Sequence, residues 1–126
     1  MKYPVIEYIL FYLFVVLCCS CNDSEENDFN VEYLIDVKWG IPVIEAEGNI
    51  NYTTFDAPTI FKENGTVEFG HKYIDYWQIY DSKSILIQNL QEVWIIYELS
   101  ETIFRVNKIK HPKGDFIVEC IYYPIE

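Results

Sequence analysis

The chain has 126 residues, a net charge of −11 and a surplus of Tyr, Ile, Val and Phe. That acidic balance argues against nucleic acid as a partner, because phosphate binding needs a basic surface. The length allows one small domain, and the β-branched and aromatic surplus suits pleated sheet.

Ile9 to Leu17 is an unbroken apolar run, preceded by Lys2 and ended by Cys18-Cys19-Ser20-Cys21. A run of this length with a positive charge before it and small residues after it has the pattern of a secretory signal peptide. A membrane-spanning helix needs roughly 20 such residues, and Pro4, Glu7 and Asn22-Asp23 confine this one more tightly. Leu17-Cys18-Cys19-Ser20-Cys21 resembles the lipobox of bacterial lipoproteins. The resemblance implies that residues 1–20 are cut away and that Cys21 carries the lipid as the new N-terminus. Cys19 is the alternative acceptor, and an ordinary secretory signal is the plainer reading.

Asn22 to Asp28 offers no apolar side chain to bury, so residues 21–30 read as an acidic, disordered tether. Anionic headgroups repel such a spacer. Its acidity also resembles the export signals that send some lipoproteins to the cell surface. With Cys18 and Cys19 removed and Cys21 acylated, only Cys120 remains, and no disulfide can form within the domain.

Residues 31–126 read as the folded domain. Val31–Asp36 suits a single helical turn with Asn30 as N-cap, leading into Lys38-Trp39-Gly40. Ile41–Ala46 is a short apolar strand. Thr59–Phe61 and Thr66–Phe69 form a hairpin, because Asn64-Gly65 between them supplies residues that accept positive φ. Four strands follow: Tyr73–Tyr80, Ser84–Gln88, Glu92–Leu99 and Thr102–Lys110. Asp115–Tyr123 is the last. Short strands at this spacing indicate an all-β antiparallel sandwich or barrel. No helix after Trp39 is long enough to cover a sheet, so the sheet must cover itself.

The sequence Leu34–Trp39, the Thr59–Phe69 hairpin, Tyr76-Trp77-Gln78-Ile79, Ile85-Leu86-Ile87 and Val93–Thr102 is similar to the lipocalin-like domains of bacterial lipoproteins. The resemblance implies a small up-and-down barrel of about eight short strands. It also implies that Trp39 closes one end.

Chemistry-bearing residues are sparse. His71 and His111 lack zinc-ligand spacing and read as solvated loop residues; no metal or cofactor is implied. Cys120 lies mid-strand with Val118 and Tyr122 on its own face, which suits an inert buried thiol. Asp75 and Glu68 are a candidate carboxylate pair across adjacent strands, a weak signal in any barrel. Arg105, Lys108, Lys110 and Lys113 gather in one strand–turn unit and read as a solvated edge, with an anionic partner as the sharper alternative.

No catalytic constellation emerges, so the expectation is a non-enzyme, lipid-anchored in the cell envelope at the outer membrane or cell surface. One reading is a binding module for an apolar or glycan ligand, with Tyr76, Tyr80 and Tyr97, joined by Tyr122 and Tyr123, as the ligand rim. The other is a structural scaffold that contacts another envelope protein. Trp77, Trp94, Phe69, Phe104 and Phe116 are expected to fill the interior, leaving at most a shallow opening.

Overall fold

The computed structural model describes residues 28–125. Cys21, the signal-peptide segment and most of the acidic stretch lie outside the described residues.

Eight antiparallel strands form one curled sheet, an up-and-down half-barrel. They are β1 (Val43–Glu47), β2 (Thr59–Phe61), β3 (Thr66–Phe69), β4 (Tyr73–Asp81), β5 (Ser84–Ile87), β6 (Glu92–Leu99), β7 (Phe104–Lys110) and β8 (Phe116–Tyr122). Their order is β1-β8-β7-β6-β5-β4-β3-β2. The architecture is compatible with a lipocalin-like fold. β1 pairs with β8 alone and β2 with β3 alone, so the sheet has a seam between β1 and β2.

Part of the seam is bridged. The backbone of Trp39 exchanges hydrogen bonds with Thr59 at 3.0 and 2.8 Å, and it also forms a bridge to Pro124 beyond β8. The Trp39 ring is fully buried and tilts over Phe104 with centroids 5.3 Å apart. A 3-10 turn, Val31–Tyr33, feeds this segment, with the Asn30 side chain accepting from the Glu32 N–H. Asp28–Asn30, at the end of the acidic stretch, belong to the domain. Asp28 N–H donates to Ser82 O at 2.7 Å, and Phe29 packs against the core.

The alternation read in the strands sets the two faces. Trp77, Trp94, Ile96, Phe104, Val106 and Cys120 point inward and are buried, while Ile74, Tyr76, Tyr80 and Tyr97 are exposed. Phe61 stands edge-on to Trp77, Trp94 and Phe104 at 5.7–5.9 Å. T-shaped pairs of this kind align positive ring edges with negative faces.

Two local details differ from the sequence reading. In the β2–β3 hairpin only Gly65 takes a positive φ (93°). Lys62 O accepts from Gly65 N–H, closing a turn over Glu63-Asn64. Asn64 serves instead through its side chain, accepting from the Thr66 N–H and hydroxyl. Phe116 lies outside the core cluster. A register shift after Lys108 pairs Lys108 with Val118 and Ile109 with Phe116. Ile117 is the extra residue, and such a bulge breaks the inside–outside alternation.

Candidate functional site

The interior is filled at one end and hollow at the other. Around Trp39, Phe61, Trp77 and Phe104 the aromatic rings interlock. Toward the turn between β5 and β6 a cavity of about 320 Å³ remains, partly open to solvent. This corrects the expectation of a filled barrel with only a shallow opening. Its physical origin is threefold. The seam leaves no strand between β1 and β2, Phe116 is taken out of the core by the bulge, and two of the inward positions on this side carry Glu92 and Lys108.

The walls are mixed. Ile41, Pro42 and Ile44 line the β1 side, and Thr53, Thr54 and Phe55 from the long connection before β2 form the outer lip. Phe55 is locked in place by stacking on Phe69 and Tyr73 with centroids 4.7 and 5.2 Å away. Trp94, Phe69 and Tyr122 supply the aromatic surface within.

Two charged side chains project into this space, Lys108 from β7 and Glu92 from β6. Lys108 Nζ donates to the Tyr122 hydroxyl at 2.7 Å. It also lies 3.9 Å from the centroid of the Trp94 ring. Burial pushes the amine below its ordinary 10.5, while Cys120 and Glu92 act in the opposite direction. Burial also pushes the Tyr122 phenol well above 10.0 and the Cys120 thiol above 9.0. Glu92 is buried and accepts from the Trp94 indole N–H at 2.9 Å. Lys108 and Glu92 do not pair: the ion pairs among the described residues are Lys62–Glu68 and Arg105–Glu45.

The basic group seen in the sequence is therefore divided. Arg105 reaches Glu45 at 3.5 Å, Lys110 Nζ donates to Leu90 O, Lys113 is exposed, and of the four only Lys108 lines the cavity. Sequence reasoning placed Lys108 on a solvated edge. The signal against that was its parity with Phe104 and Val106, both inward on β7. Of the tyrosines read as a ligand rim, Tyr76, Tyr80 and Tyr97 stand exposed and do not line the cavity; Tyr122 does.

The candidate carboxylate pair is not brought together. Asp75 faces inward and is fully buried, while Glu68 pairs outward with Lys62. Asp75 accepts from the Tyr73 hydroxyl and the Tyr76, Asn89 and Leu90 N–H groups, which fastens β4 to the β5–β6 turn. His71 is exposed, with a positive φ, and His111 packs edge-on against Tyr80 at 5.3 Å.

Compared with known protein families, curated proteins and solved structures, the chain has no match.

Proposed function

We propose that this chain is a lipid-anchored protein of the bacterial cell envelope, lipocalin-like in kind, whose half-barrel binds a small apolar ligand without transforming it. The observation that carries the reading is the cavity of about 320 Å³ between the β1 side and the Phe55 lip. It falls at the lower end of the range typical of ligand sites, with apolar walls and a few convergent polar groups. The aromatic plug around Trp39 fills the other end of the interior.

The anchoring part of the reading rests on the lipobox resemblance, with Cys21 as the acylated residue at the outer membrane or cell surface. Cys21→Ser should leave a full-length, unlipidated form. Processing and membrane attachment as in the wild type would set that part aside. For the binding part, native mass spectrometry of the protein from its own cells should reveal a co-purifying small molecule.

A second reading, a scaffold that contacts another envelope protein, is favoured by a different feature. Ile74, Tyr76, Tyr80 and Tyr97 stand on the outside of the sheet with roughly half of each side chain exposed. Pull-down of a defined partner that is lost on Tyr76→Ala, with the cavity empty in the native protein, would favour the scaffold.

A further inference from the structure

We infer that the cavity takes an apolar monocarboxylate, its head group seated on Lys108 Nζ and the Tyr122 hydroxyl and its tail directed along Phe55, Phe69 and Ile44. The inference deepens the binding reading above and rests on it.

Lys108 is the unusual group in this interior. Its amine reaches into a largely apolar space and makes a single hydrogen bond, to Tyr122. An ammonium carries three donors, so the remainder point to the cavity or to the Trp94 face. The side chain is half-buried, and a cation partly withdrawn from water is favoured by a counter-charge that no ion pair among the described residues supplies. Trp94 offers partial compensation through its ring, 3.9 Å away. Among the described residues Glu92 is the one carboxylate lining the cavity, and it is engaged by the Trp94 indole instead of by Lys108. A carboxylate entering from the lip would supply the missing counter-charge. Its charge-assisted bonds to Lys108 and Tyr122 are of the strong kind.

The dimensions fit a modest tail. A space of about 320 Å³ corresponds to roughly ten water volumes at about 30 Å³ each. Octanoate, with about that many non-hydrogen atoms, is therefore the appropriate probe.

The test compares octanoate, octanol and octylammonium by isothermal titration on the same protein. Octanoate is expected to bind at one site, at least tenfold tighter than octanol, with octylammonium weakest. Lys108→Met should bring octanoate and octanol to similar affinity. If octanol binds as tightly as octanoate, or octylammonium binds best at Glu92, the carboxylate assignment fails while the binding reading stands. If none of the three saturates a site, the two fall together. The wild-type comparison decides the matter even if Lys108→Met does not fold.

Discussion

Lys108 Nζ stands 3.9 Å from the centroid of the Trp94 ring while donating to the Tyr122 hydroxyl, so a cation and two aromatic rings share one wall of the cavity. Under the binding proposal this arrangement serves the ligand more than the fold. A half-buried cation without an ion-pair partner gains little for stability, and an apolar residue of similar length can replace it without loss. Lys108→Met should therefore lower the unfolding free energy by no more than about 1 kcal/mol, if it lowers it at all. Urea unfolding would measure it. A loss above about 2 kcal/mol would make Lys108 a structural residue.

Asp75 behaves in the opposite way. Its carboxylate accepts from four donors, two of them the Asn89 and Leu90 N–H groups of the β5–β6 turn. An amide in its place sets an N–H₂ against donors that need an acceptor. Asp75→Asn should cost about 3 kcal/mol, since buried donors left unpaired lose their full solvation. Faster hydrogen exchange at Asn89 and Leu90 would locate the damage; unchanged exchange there would argue against this role.

The buried thiol and phenol set an alkaline limit. Burial raises both Cys120, from an ordinary 9.0, and Tyr122, from 10.0. Where a folded-state value is raised, the stabilising contribution is fully present below the unfolded value and is lost as pH climbs toward the folded one. Lys108 is shifted downward and contributes with the opposite slope below 10.5. In a Lys108→Met background, stability should therefore hold from neutral pH to about 9 and fall steadily above it. Adding Cys120→Ala should flatten the first part of that fall. A profile that Cys120→Ala leaves unaltered would contradict the burial of the thiol.

Much of the fold is legible in the sequence because two simple signals agree. The period-two alternation places Trp77, Trp94 and Ile96 inward, and short turns such as Lys62–Gly65 separate the strands at the right intervals. The cavity is less legible, for three physical reasons. Charge conceals parity: Lys108 and Glu92 share the inward faces of β7 and β6 with Phe104 and Trp94, but a charged residue in an alternating strand is ordinarily solvated. A bulge erases parity: Ile117 is inserted opposite β7 and takes Phe116 out of the core. The seam between β1 and β2 depends on long-range pairing, which no local pattern in Ile41–Ala46 encodes.

The binding proposal requires the hollow end to be a ligand site. Its most direct test is a titration with N-phenyl-1-naphthylamine, a neutral apolar dye, read by dye emission and tryptophan quenching. It should be run on the wild type, on Ile44→Trp at the cavity wall and on Tyr76→Ala at the outer face. One saturable site is expected, weakened at least tenfold by Ile44→Trp and unaffected by Tyr76→Ala, with both variants folded by circular dichroism. No saturation, or binding that Tyr76→Ala abolishes and Ile44→Trp leaves untouched, would contradict it.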